Sequence, residues 1–195
     1  MSSPHWNERI VLASASPRRA ELLRAAGIDF DVIPAHVDES MRPGESPTEH
    51  VARLAESKAR AIHERDGERT VLAADTVVVV DTQVLGKPLD DSDASRMLHL
   101  LSGRTHEVLT AVSIFHPGEI VDTRVEVTSV EFSPLSEADI DWYVASGEPL
   151  DKAGAYAIQG LASRFVPTIT GSYSNVVGLP VALVHQMLTT KLLTF

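Results

Sequence analysis

Short apolar runs alternate along this chain with amphipathic stretches, and their order predicts the elements. Residues 10–13, Ile-Val-Leu-Ala, read as a strand. Ser14-Ala15-Ser16 follow as a loop of small residues. A helix then starts with Ser16 as N-cap and Pro17 at the first helical position, and Gly27 ends it near Ala26. Residues 30–34 form a second short strand. Ser46-Pro47-Thr48-Glu49 is a capping box that opens a helix running to about Arg65. Its apolar stripe is Val51, Leu54, Ala55 and Ile62. Lys58 falls on that stripe, one turn from Leu54 and Ile62, so its ammonium must snorkel out or meet an anion.

The run at 71–80, VLAADTVVVV, is apolar on both faces and reads as a central, covered strand. Asp75-Thr76 interrupts it. A lone buried carboxylate costs several kcal/mol unless it is paired or binds a metal, so Asp75 is the hardest residue to place by packing alone. Asp81-Thr82-Gln83 turns back into Val84-Leu85, and Lys87 sits in the loop after that edge strand. A helix over 90–101 carries the stripe Ala94, Met97, Leu98, Leu101. Strands at 108–115 and 120–132 flank a Pro117-Gly118 turn as an antiparallel hairpin. Ser136 caps a further helix that Gly147-Glu148-Pro149 breaks. Residues 151–160 fit neither period. A polar cluster at 171–175 precedes a last helix from Pro180 to about Leu193.

Strands followed by helices, with one long hairpin, predict an α/β (mixed α+β) domain. Its sheet is mixed and twisted, and its flanking helices form two lobes around a central cleft. The 195 residues are expected to make one such domain. Hydrophobic content of 44% supports a packed core, and a formal charge of -10 argues against nucleic-acid binding. No cysteine is present, which excludes disulfides and thiolate chemistry. No apolar stretch approaches a membrane span and the N-terminus has no apolar leader core, so a cytoplasmic protein without a membrane partner is expected.

Arg18 and Arg19 add positive charge where a helix N-terminus already attracts anions, which makes sense if a phosphate is the missing partner. Lys58, Lys87 and Lys152 extend the cationic set; Glu39, Asp75 and Asp151 supply carboxylates. Several cations with a few acids describe a site for a polyphosphate and a divalent metal, with one carboxylate available to deprotonate water. No Walker A sequence and no kinase signature set is present. In the 151–160 stretch, small residues would let a ligand approach the backbone, and Gln159 offers a donor and an acceptor to a base edge.

LASASPRR at 12–19, VDES at 37–40, RLAESKA at 53–59, AADTVV at 73–78, LGKP at 85–88 and SGRTHEVLTAV at 102–112 together resemble the Maf proteins. So do SGEPLDKAGAYAIQG at 146–160 and GSYSNVVGLP at 171–180. The resemblance covers almost the whole chain. It implies a fold like that of the inosine triphosphate pyrophosphatases and a homodimer in the cytoplasm. The implied reaction is cleavage of a nucleoside triphosphate to monophosphate and pyrophosphate with Mg²⁺ or Mn²⁺. Arg18, Thr76 and Gln159 match the branch that prefers dTTP and UTP; the branch that prefers 7-methyl-GTP carries Trp, Gln and Glu there. The resemblance also implies Asp75 as proton acceptor, Ser14, Arg19, Lys58 and Lys87 as phosphate contacts, and Glu39 with Asp75 as metal ligands. Ala157 stands where the family usually has Gly. The alternative is a nucleotide-binding regulator of cell division whose hydrolysis is incidental.

Overall fold

The computed structural model describes residues 8–118 and 120–190. Its strands are β1 (Ile10–Leu12), β2 (Phe30–Val32), β3 (Val71–Val80), β4 (Gln83–Leu85), β5 (Thr105–His116), β6 (Ile120–Glu131) and β7 (Thr168–Thr170). The helices are α1 (Pro17–Ala25), α2 (Pro47–His63), α3 (Asp91–Leu101), α4 (Glu137–Ala145), α5 (Tyr173–Val177) and α6 (Val181–Thr190). The strands hydrogen-bond in the order β2-β1-β3-β5-β6-β7, with β4 also on β3. β1 runs parallel to β2 and β3, while β4 on β3 and β7 on β6 are antiparallel, so the sheet is mixed. Among the described residues no helix is long and apolar enough to cross a membrane.

The chain divides into two compact units. The first comprises residues 1–75, 110–126 and 178–195. Strand parity gives it two cores, because successive side chains point to opposite faces. Ile10 and Leu12 of β1 join Leu72 and Ala74 of β3 against Ala20 and Leu23 of α1 and Val184, Met187 and Leu188 of α6. Val11, Ala13, Val71 and Ala73 take the other face, against Ala59 and Ile62 of α2. Both faces of β1 and β3 are covered, as their apolar runs require.

The second unit comprises residues 76–109 and 127–177. Its core gathers the predicted α3 stripe, Ala94, Met97, Leu98 and Leu101, with Val78, Val80, Val108, Phe132, Ile140 and Tyr143. In the stretch that fitted neither period, 151–160, lies a short 3₁₀ turn at Ala153–Ala155, and others at Glu148–Asp151 and Leu161–Phe165 flank it. Gly154 has φ +68 there, and a Cβ built on it would lie 2.7 Å from Val78 Cγ2. Only glycine meets both demands, the left-handed backbone and the close approach.

Helix starts follow the expected chemistry with one exception. Ser46 and Glu49 close a complete capping box on α2, and Ser136 and Asp139 close one on α4. Ser16 occupies the N-cap position of α1, but its side chain makes no capping bond. Ser14 Oγ instead accepts the Ser16 N–H at 3.2 Å. β7 and α5 carry no signal in the sequence and are additions to the predicted elements. The expected end of the last helix near Leu193 and the reading of the N-terminal residues 1–7 lie outside the described residues.

Candidate active site

Parity on β3 and spacing on α2 build the centre of the site. Asp75 shares the face of Val71 and Ala73, which packs on α2. Lys58 lies one turn before Ile62 on the buried face of that helix. The two therefore meet: Lys58 Nζ donates to Asp75 Oδ1 at 2.7 Å, and both side chains are 11% exposed. Lys58 Nζ also lies 2.6 Å from Glu39 Oε1, whose side chain stands in solvent on the loop between β2 and α2. Of the two options for an inward lysine, the structure shows the anion, and there are two of them.

The opening βα turn reaches the same place through Arg19. Its Nη1 donates to the carbonyl of Ala74, the residue before Asp75, at 2.7 Å. The same nitrogen donates to Ser14 Oγ at 3.2 Å, and Nε donates to the Gly178 carbonyl at 2.9 Å. Burial is the largest influence on Arg19 and lowers its pKa from the usual arginine value. Asp75 opposes that shift, neighbouring Arg18 adds to it, and Glu39 opposes it. An arginine remains charged regardless, so two cations and two carboxylates share this end of the first unit. Arg18, half-buried, follows Pro17 on the same first turn of α1.

Ser14, Arg19, Glu39, Lys58 and Asp75 are thus joined by direct contacts or by one intervening residue. Thr76, Lys87 and Gln159 belong to the second unit. Thr76 continues β3 directly after Asp75 and is half-buried. Lys87 is exposed in the loop after β4, as the sequence predicted, and Gln159 is exposed on a turn. Lys152, also in the cationic set, is turned onto Asp151 and the carbonyl of Glu148.

One group of residues carries no separate signal in the sequence. The loop that bears Glu39 has no regular structure from Ile33 to Glu45, apart from a turn. Arg53 of α2 ties it down. Its Nη2 donates to the Ser40 carbonyl at 3.0 Å, and its guanidinium grips Glu45 through Nε and Nη2 at 2.5 and 2.8 Å. His50 Nδ1 lies 3.1 Å from the same Glu45 carboxylate. Arg53, first among these causes, holds the Glu45 carboxyl far below the usual carboxylate range. The only hint in the sequence is a second cation on the same helix, five residues before Lys58.

The family model described as "Maf-like protein" matches residues 9–191. The chain belongs to this family. The Maf-like chain is 52% identical over 180 residues to a protein of Koribacter versatilis named dTTP/UTP pyrophosphatase, with 92% of each chain covered. It is 54% identical over 177 residues to a protein of the same name from Anaeromyxobacter dehalogenans, with 89% of each covered. Among solved structures, the Staphylococcus aureus Ham1 protein matches with a TM-score of 0.51 at 15% identity, over 94% of this chain and all of that one. A HAM1 protein from Coxiella burnetii matches with a TM-score of 0.51 at 19% identity, over 94% and 98%. At such identities these two likenesses concern the fold alone.

Among the described residues no group of three or more His, Cys, Asp or Glu side chains could hold a metal ion by itself. The Glu39 and Asp75 carboxylates, both on Lys58 Nζ, are a two-acid donor set. That suits Mg²⁺, which is commonly held by one or two carboxylates, substrate phosphates and water rather than by an all-protein cage.

Proposed function

We propose that this chain hydrolyses dTTP and UTP to the monophosphate and pyrophosphate. The observation that carries the proposal is the convergence of the Arg19 guanidinium, the Lys58 ammonium and the Asp75 carboxylate within one unit. Relatives at 52% and 54% identity that bear the name dTTP/UTP pyrophosphatase support the substrate.

The donors have capacity left for a phosphate. Ser14 Oγ accepts from Arg19 and from the Ser16 N–H, and its own O–H remains to donate to a phosphate oxygen. Lys58 carries three N–H donors, two of which face carboxylates, leaving the third for phosphate. Arg19 is held by backbone carbonyls on two segments, so its charge is positioned before substrate arrives. Lys87 is assigned to the phosphate chain, and Arg18, Thr76 and Gln159 to selection of the pyrimidine.

Asp75 accepts a proton from the attacking water as the new P–O bond forms. The bond to pyrophosphate breaks, and the pyrophosphate leaves with that electron pair. The Lys58 ammonium stabilises the charge that develops on the phosphate oxygens. Glu39 and Asp75 would hold Mg²⁺ or Mn²⁺ brought in with the triphosphate. Such an ion neutralises phosphate charge and makes a bound water more acidic. A homodimer in the cytoplasm completes the proposal.

The test is pyrophosphate release from a panel of triphosphates with Mg²⁺ or Mn²⁺. UTP and dTTP are expected to be turned over fastest, with pyrophosphate and not orthophosphate as first product. Equal or faster turnover of 7-methyl-GTP would overturn the assignment to pyrimidines.

A further inference from the structure

Gln159 is exposed on a turn, yet the backbone on either side of it is pinned. Tyr143 of α4 is fully buried, and its hydroxyl oxygen accepts the Ala157 N–H at 3.1 Å. That hydroxyl donates its proton to Glu148 Oε1 at 2.8 Å. The other carboxylate oxygen, Glu148 Oε2, accepts the Leu161 N–H at 3.1 Å. Ala157 and Leu161 stand two residues before and two residues after Gln159, so one Tyr–Glu pair holds both flanks of the turn.

Two further observations fit a built device. A Cβ on Gly160 would fall 2.2 Å from Glu148 Oε2, so the carboxylate lies directly against the backbone and a side chain at position 160 would displace it. Burial, reinforced by the Glu148 hydrogen bond, raises the Tyr143 pKa, so the hydroxyl keeps its proton and donates it throughout the working pH range. Next along, Tyr156 Oη lies 2.8 Å from His106 Nε2, a third tether at the start of the same turn.

We propose that Tyr143 and Glu148 are positioning residues for base selection: together they fix the 157–161 turn so that the Gln159 amide meets the base edge at a set place. The proposal rests on Gln159 selecting the base. An amide whose backbone is fixed reads the order of donor and acceptor on a pyrimidine. One on a loose turn accepts either order, which separates UTP from CTP poorly.

The experiment compares kcat/KM for UTP and CTP, and the melting temperature, in wild type, Tyr143→Phe, Glu148→Gln, Gln159→Ala and the Tyr143→Phe/Gln159→Ala double variant. Tyr143→Phe keeps the ring and removes only the hydroxyl. It is expected to cut the preference for UTP about tenfold, by raising KM for UTP more than it lowers kcat, and to add nothing in the Gln159→Ala background. Glu148→Gln should act in the same direction, and decides the matter alone if Tyr143→Phe does not fold. If Gln159→Ala lowers the preference but Tyr143→Phe and Glu148→Gln slow both substrates alike, the clamp is merely structural and the proposal fails. If Gln159→Ala leaves the preference unchanged, the base-selecting reading of Gln159 fails, and the clamp's role fails with it.

Discussion

At the scale of the residue, the Lys58–Asp75 pair is the least economical feature of the first unit. Two charges that are each 11% exposed are costly to desolvate, and an apolar pair of similar size is commonly as stable or more so. Lys58→Met should therefore lower stability by roughly 3 kcal/mol, because Asp75 is left without its buried cation. The double variant Lys58→Met/Asp75→Leu should recover most of that loss in urea denaturation while remaining inactive. A double variant as unstable as the single one would show that the pair is kept for packing, not chemistry. Lys58 and Asp75 were legible in the sequence because each breaks an apolar pattern: a lysine on a helix stripe, an acid in a covered strand. The carbonyl contacts of Arg19 were not, since Ala74 and Gly178 offer only backbone, which has no sequence signature.

Among the elements, α2 and α3 were legible because their periodicity is long and their start signals are local. β7 and α5 were not, for a physical reason. Three residues of strand and five of helix are too short to hold themselves, so distant partners fix them. β7 exists through its pairing with Ser129–Glu131 of β6. α5 is anchored by Asn175, fully buried, whose Nδ2 donates to the Val108 carbonyl and to Thr128 Oγ1, both at 3.0 Å. Asn175→Ala should cost about 1–3 kcal/mol by removing both buried bonds, although Thr128 Oγ1 keeps the Ser172 N–H. Urea midpoints with an unchanged m-value are the check, and a shift below a few tenths of a kcal/mol would contradict the anchoring role. The loop carrying Glu39 depends on α2 in the same way. Arg53→Ala should raise amide hydrogen exchange at residues 38–45, which lose their hold on the helix, and leave the core strands protected.

For the molecule as a whole, stability should depend on pH through His106. Burial pushes this histidine down to about 4 from the ordinary 6.5, and its Nε2 stays with Tyr156. Between those values the unfolded chain binds the extra proton and the native one does not. The contribution is therefore complete above pH 6.5 and is lost as pH falls through 4, with roughly 3 kcal/mol at stake. His106→Gln should flatten the fall in stability between pH 6.5 and 4.5 relative to wild type; parallel curves would contradict this assignment. Net charge says little here: at -10 the chain is acidic, yet it sets Arg19 and Lys58 beside one carboxylate.

The central claim is that Asp75 performs chemistry while its cationic neighbours bind the phosphates. The most direct test is UTP hydrolysis by Asp75→Asn, with UTP binding measured on the same preparation. The account predicts that kcat falls at least ~10²-fold, the loss expected when a general base is removed, while UTP affinity stays within a few-fold of wild type. A variant that retains near-normal kcat would contradict it.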